Sequence, residues 1–196
     1  MKLETLIFIG RSGCGKGTQA KLVDEYLKKK DPEHPLYHLE TGSRFRNFIS
    51  HEGYTNKLAR VIMDQGRRQP DFLAVWMWAN HFIENLDETK HLIIDGTPRS
   101  LNEAHILDGG LSFYGRVKPH VVHLNVSREW SEARLMARGR ADDNHADIKE
   151  RLDWYTKDVE PAVEYYRTNP TYNFIEINGE QPIEVIHEEL MKQLKL

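Results

Sequence analysis

The run Leu6-Ile7-Phe8-Ile9-Gly10-Arg11-Ser12-Gly13-Cys14-Gly15-Lys16-Gly17-Thr18 decides how this chain is read. An apolar, strand-like segment ends at Ile9, a glycine-rich loop carrying a lysine comes next, and a helix-like segment runs from Gln19 to Lys29. Glycines let backbone N–H groups turn inward around phosphate oxygens. The N-terminus of the next helix adds partial positive charge, and Lys16 adds a full one. Strand, loop, lysine and helix in this order read as a P-loop, with Gly13, Cys14, Gly15, Lys16, Gly17 and Thr18 around the phosphates of a nucleoside triphosphate. One position is irregular. Gly17 stands directly after the lysine, where a Ser or Thr usually offers its hydroxyl to magnesium, and Thr18 comes next.

Outward from this loop, strand-like and helix-like segments alternate. The candidate strands are Leu6–Ile9, Leu36–Leu39, His91–Ile94, His120–Val126 and Asn173–Ile177. Such alternation predicts an α/β fold, a parallel sheet covered by helices on both faces. The rhythm breaks between Leu39 and His91, a span that reads as helices alone. Within it Phe72, Val75, Trp76, Ala79, Phe82 and Ile83 fall at helical spacing, which predicts that Trp76 faces the core and leaves Trp78 unassigned. Pro70 suits the first turn of that helix. Residues 41–70 then form a helical insert hinged on the carboxyl edge of the sheet, the edge where open α/β sheets bind ligands.

Three further motifs carry chemistry. Leu92-Ile93-Ile94-Asp95-Gly96-Thr97-Pro98-Arg99 is a strand that ends in a carboxylate and then presents an arginine from a turn. In P-loop folds an Asp at a strand end holds magnesium, directly or through water. Arg134, Arg138 and Arg140, with Arg151 on the next helix, form a cluster suited to a transferring phosphoryl group. Gly139 ends the first of those helices, and Asn144 can cap the second. Thr41-Gly42-Ser43-Arg44-Phe45-Arg46 stands at the mouth of the insert, and Arg46 lies one turn into a helix that Thr41 and Gly42 can open.

Composition bounds the rest. The 196 residues carry 39% hydrophobic and 29% charged side chains, enough for the core and surface of one domain. A net charge of −3 points to no nucleic-acid or membrane partner. No apolar run reaches membrane-spanning length, and Glu4 interrupts any signal-peptide pattern, so a cytoplasmic location is expected. Cys14 is the single cysteine, which excludes an internal disulfide and a cysteine cluster for zinc. The ten histidines show no metal-ligand spacing. Pro161 is expected to kink or end the helix that begins near Asn144, and Tyr165, Tyr166 and Tyr172 to pack that helix on the sheet.

Taken together, Gly10-x-x-Gly13-x-Gly15-Lys16-Gly17-Thr18-Gln19, Thr41-Gly42 with Arg46, Asp95-Gly96-x-Pro98-Arg99, and Arg138-Gly139 with Arg140-x-Asp142-Asp143 and Arg151-Leu152 resemble the adenylate kinase family. The resemblance runs in order along the chain and includes the irregular Gly17. It implies a three-layer P-loop fold with a five-stranded parallel sheet, a monophosphate-binding insert at 41–70 and a vestigial lid at 138–144. It also implies Mg-dependent transfer of the γ-phosphoryl of ATP to a nucleoside monophosphate, AMP first, by a monomer without structural zinc. By that resemblance Lys16, Arg138, Arg140 and Arg151 stabilise the transferring group. Thr41, Gly42, Arg46, Gly96 and Arg99 hold the acceptor, Arg134 lies against the donor adenine, and Asp95 organises hydrated magnesium.

Three departures stand out. Only Gly139 separates Arg138 from Arg140, so the lid is shorter than in short-lid members. Ser43 stands where the family usually has Asp, and Thr97 where it has an aromatic residue. Glu103 stands where it has the Gln that reads the acceptor base. An ionised carboxylate only accepts hydrogen bonds, so Glu103 suits the amine of adenine or cytosine, or the ring N–H and amine of guanine. Ser100-Leu101-Asn102-Glu103 equally fits a helix-capping box. A kinase for GMP or CMP, and a nucleotide-sensing module without transfer, are the alternative readings.

Overall fold

A computed structural model describes residues 2–139 and 144–196. Five parallel strands form one sheet: β1 (Thr5–Ile9), β2 (Leu36–Glu40), β3 (His91–Asp95), β4 (His120–Asn125) and β5 (Asn173–Asn178), in the order β2-β3-β1-β4-β5. Each expected strand is present, with ends displaced by a residue or two. Val126, expected in β4, falls just beyond it. β1 and β3 are buried along their whole length, as central strands of a sheet covered on both faces must be.

The side-chain period of two divides the core. Leu6, Phe8 and Ile93 point to one face, where α1 (Lys16–Lys30) and α9 (Ile183–Leu194) contribute Val23, Leu27, Ile186 and Leu190. Ile7, Ile9, Leu92 and Ile94 point to the other, against α4 (Asp71–Asn85), α5 (Leu101–Phe113) and α8 (Glu160–Thr168). Each such side chain contributes about 1.5–3 kcal/mol on leaving water. α1 starts at Lys16, earlier than the apolar pattern showed, because Gly15 in the left-handed region turns the loop directly into the helix.

The insert comprises α2 (Thr41–Ser50) and α3 (Tyr54–Asp64), and its own small core joins Phe45 and Ala59 to Leu73, Ala74 and Met77 of α4. Here one expectation is overturned. Trp76 is 47% exposed, and Phe72 and Ile83 are more so, whereas Trp78 is buried at 3% beside Phe82. α4 is apolar almost all round, and it packs on the insert on one side and on the sheet and α5 on another. Periodicity alone could not choose its buried face.

The last helical stretch also departs from expectation. α6 (Arg128–Arg138) ends at Gly139 in the left-handed region, and α7 (His145–Trp154) begins where Asn144 Oδ1 accepts from the Asp147 N–H at 3.0 Å. Pro161 neither ends nor sharply interrupts the helical run from α7 to Thr168. α7 passes through a π-helical turn, Tyr155–Val159, into α8, and Pro161 sits in the first turn of α8. The widened turn leaves free the carbonyl position that the proline ring would otherwise strike. Tyr166 and Tyr172 pack against the sheet as expected, and the hydroxyls of Tyr165 and Tyr172 both donate to Asp108.

Candidate active site

Phe8 of β1 pairs with Asp95 of β3, so the P-loop and the Asp95-Gly96-Thr97-Pro98-Arg99 turn leave the same edge of the sheet side by side. The strand order turns at β1, which opens a crevice at that edge. The crevice is a cleft of about 770 Å³. Its P-loop wall is Gly13, Gly15, Lys16, Gly17 and Thr18, with Asp95 also lining the cleft. Its far wall is Gly42, Arg46, Gly96 and Arg99, and Arg134, Arg138 and Arg151 close one flank.

Lys16 Nζ donates to the carbonyls of Gly10 at 2.7 Å and Arg11 at 2.9 Å, which folds the side chain back over the loop. The loop is anchored from behind by Arg11. Its guanidinium pairs with Glu160 at 2.7 Å, donates to the Val126 carbonyl and lies over the ring of Tyr155. The irregular Gly17 has a local reason. A Cβ there would stand 3.2 Å from Asp95 Oδ2, so a side chain would crowd the carboxylate at the floor of the cleft. Burial pushes the Asp95 carboxyl above its ordinary range, against the pull of Lys16, His38 and Arg99. A carboxylate in that state gains from any cation brought near it.

On the insert side Thr41 Oγ1 donates to Thr97 Oγ1 at 3.0 Å, tying the first residue of the insert to the turn after β3. Two guanidinium groups converge over Gly42, where an added Cβ would lie 3.3 Å from Arg46 Nη1 and 3.7 Å from Arg99 Nη2. Arg99 is half-buried and donates from Nε to the Gly96 carbonyl at 2.7 Å. Arg46 is more exposed and pairs with Glu40 at 3.0 Å. The Arg134 guanidinium lies over the indole of Trp130, 4.8 Å from its centroid.

Not every expected residue lines the cleft. Cys14 and Thr41 are buried just behind its walls. Glu103 is fully buried at the start of α5, where its N–H donates to the Ser100 hydroxyl at 3.1 Å. The capping box is therefore half made, since neither carboxyl oxygen of Glu103 has a well-formed hydrogen bond. Arg140 lies outside the described residues. Trp154 was missed in the sequence, although it stands one helical turn beyond Arg151 and so shares its face. It lines the cleft, its ring is 5.8 Å from the Arg99 guanidinium, and its Nε1–H donates to the Gly66 carbonyl at 3.0 Å.

The histidines do assemble one cluster among the described residues, at the opposite edge of the sheet: Asp31, His34 and His91. His91 Nδ1 accepts from the Glu4 N–H at 2.9 Å, so a neutral ring carries its proton on Nε2, which faces Asp31 at 3.2 Å. Burial keeps His91 below the ordinary histidine range, so the neutral ring is the relevant form. The lone pair a metal would need is thus not presented there.

The family model for adenylate kinase matches residues 8–171. The chain belongs to the adenylate kinase family. It is 35% identical over 190 residues to adenylate kinase 1 of Synechocystis sp., covering 97% of this chain and 96% of the relative. It is 32% identical over 189 residues to the adenylate kinase of Corynebacterium glutamicum strain R (96% and 98% covered) and 33% identical over 191 residues to that of Bacteroides fragilis (95% and 96%). As a member of this family the chain is a phosphotransferase, and its reaction is transfer of the γ-phosphoryl group of ATP to AMP. No helix among the described residues is long and apolar enough to cross a membrane.

Proposed function

We propose that ATP occupies the P-loop wall and AMP the insert wall of this one cleft, with their phosphates meeting between Lys16 and the arginines. The observation that carries this reading is the lining itself. A backbone-and-lysine anion site and a pair of convergent guanidinium groups face a single space that Arg138 and Arg151 also border. Phosphoryl transfer needs little covalent help, because the attacking oxygen of AMP is already anionic. Positioning and electrostatic stabilisation supply the rate.

Lys16 leaves its carbonyl partners to follow the transferring phosphoryl, and Arg138, Arg140 and Arg151 neutralise charge around it. Arg46 and Arg99 grip the acceptor phosphate above the backbone of Thr41, Gly42 and Gly96. Arg134, its guanidinium over the Trp130 ring, offers a face to the donor adenine. Asp95 fits hydrated magnesium: it is a buried carboxylate set against Gly17 in the cleft, with no cation in hydrogen-bond contact among the described residues. It would hold the ion through water, and the bound ion supplies charge neutralisation across the phosphates. The insert at 41–70 closes over the phosphates and keeps water from intercepting the phosphoryl; the lid expected at 138–144 lies largely outside the described residues.

A coupled assay of Mg·ATP with AMP, GMP, CMP, UMP and dTMP tests the reading. AMP is expected to turn over fastest. Tight ATP binding with no transfer to any monophosphate would instead identify a nucleotide-sensing module. Two adenosines joined through five phosphates should bind at one-to-one stoichiometry and displace both nucleotides; displacement of only one sinks the two-site arrangement.

A further inference from the structure

Glu103 is the most conspicuous ionisable side chain that the phosphate chemistry does not use. It is completely buried, and neither carboxyl oxygen has a well-formed hydrogen bond. A carboxylate left in this condition is costly unless it is paired or holds a proton. The available cation is already engaged. Arg68 donates from Nη1 to Asp71 in a short contact and from Nε to Asp158 at 3.2 Å, and Glu103 Oε1 stands 3.6 Å from the same Nη1. One guanidinium therefore faces three carboxyl groups. Asp71 is fixed as an anion by Arg68, Asn102 and Ser100. Arg99 opposes the effect of burial on Glu103 more strongly than Arg68 does, through its charge and its backbone N–H, while Asp95 shares the field of its guanidinium and Tyr166 approaches from α8 without adding positive charge. With Asp71 and Asp158 better placed around Arg68, Glu103 is the member that keeps a proton.

Its place in the cleft gives that proton a use. Arg68 Nη1 lies 3.5 Å from the Gln69 carbonyl, and Gln69 lines the cleft beside Met63, Gly66 and Trp154. Glu103 thus stands one guanidinium group behind the wall, on the acceptor side next to Arg99. For a base whose phosphate is held by Arg46 and Arg99 to reach Glu103, Arg68, carried on the link between α3 and α4, has to swing aside from Asp71 and Asp158. An ionised carboxylate offers two acceptors side by side, whereas a protonated one offers a donor and an acceptor. The Watson–Crick edge of adenine offers the complement of the second pattern, a ring-nitrogen acceptor beside an amine donor; guanine offers two donors and complements the first.

We propose that Glu103 reads the acceptor base as a neutral carboxyl, donating its O–H to the adenine ring nitrogen and accepting from the adenine amine, so that acceptor choice shifts from AMP towards GMP as the carboxyl loses its proton. The proposal rests on the reading of the insert side as the acceptor site. Burial places this carboxyl at about 7, with Arg99 and Arg68 opposing the rise and Asp71 assisting it. The folded state therefore holds the proton more tightly than the unfolded chain. Stability that is complete below the ordinary glutamate range is lost as pH rises towards the folded value.

Calorimetric titration of AMP and GMP into the full chain tests this from roughly pH 6 to roughly pH 8, with Glu103→Gln as the reference. The carboxamide has the donor-acceptor pair at every pH, and it cancels the titration of the nucleotide phosphate. The Kd ratio of wild type to Glu103→Gln for AMP is expected to rise about tenfold across that range, and the ratio for GMP to fall. Parallel profiles for both nucleotides overturn the proposal. A second measurement needs no ligand: thermal unfolding of wild type should fall relative to Glu103→Gln as pH rises through the same window, and a constant gap also overturns it. Should Glu103→Gln not fold, the AMP-to-GMP affinity ratio of wild type alone must fall with pH, and a flat ratio overturns it too. Because binding is read directly, an absence of phosphoryl transfer would indict the proposed function and leave this inference to be judged on its own result.

Discussion

The two walls of the cleft that we assign to the donor and the acceptor are built from different materials. The donor wall is mostly main chain: a loop fixed between β1 and α1, pinned behind by Arg11 to Glu160, with Lys16 held by two carbonyls of its own loop. The acceptor wall is mostly side chain. Arg46 rides on the insert in an exposed pair with Glu40, and Arg99 hangs from a turn by a single hydrogen bond to Gly96. Backbone donors cannot be redirected without unfolding the loop, whereas the Arg46 guanidinium, on an insert with its own small core, moves with that insert. On the proposed assignment the donor site is pre-organised and the acceptor site is completed by closure.

Substitutions can break this contrast. The largest effect is expected from Lys16→Ala, which should lower kcat by about 10²–10³ with little change in the KM for AMP, read in a coupled assay. An equal rise in the KM for AMP would dissolve the division between the walls. On the acceptor side Arg99→Ala should raise the KM for AMP roughly a hundredfold and Arg46→Ala roughly tenfold, because the half-buried guanidinium is less screened than the exposed one. Equal effects would mean that closure buries both alike.

Gly66→Ala probes how the insert is seated. Gly66 has φ +65, and an added Cβ would stand 2.7 Å from the Asp147 Cα at the start of α7. The methyl should cost about 2 kcal/mol in chemical denaturation and raise the KM for AMP while leaving ATP binding nearly unchanged. The smallest effect belongs to Trp154→Phe, which keeps most of the ring but loses the bond to the Gly66 carbonyl. It should cost about 1 kcal/mol, and the same change measured in Gly66→Ala should be smaller, since both residues act on one contact.

Much of the frame could be read from residues alone. Apolar runs ending in Gly10 and Asp95 located two adjacent strand ends, and the helical span after Leu39 located the insert. What could not be read had physical causes. Trp76, expected in the core, is exposed and the unassigned Trp78 is buried, because α4 is apolar on nearly every side and a period without a polar face has no phase. Trp154 carried no signal of its own in the sequence because its partner, Gly66, is far away in the chain. Glu103 left two readings open because a sequence shows that a carboxyl is present and not whether it can hold its charge. That depends on Arg68, Asp71 and Asp158 meeting around it.

The π-helical turn at Tyr155–Val159 has a consequence for lineage and for engineering. Each residue in an α-helix advances the face by about 100°, so one residue absorbed by a widened turn shifts the phase of everything downstream by that angle. Upstream, Arg151 and Trp154 look into the cleft; downstream, Tyr166 is buried against the sheet. A regular helix of the same length could not aim both sets correctly. Deleting the exposed Lys157 would restore a uniform winding and misalign one face or the other, so this single supernumerary position behaves as a ratchet: simple to acquire as an insertion, and hard to lose once both ends have adapted to it.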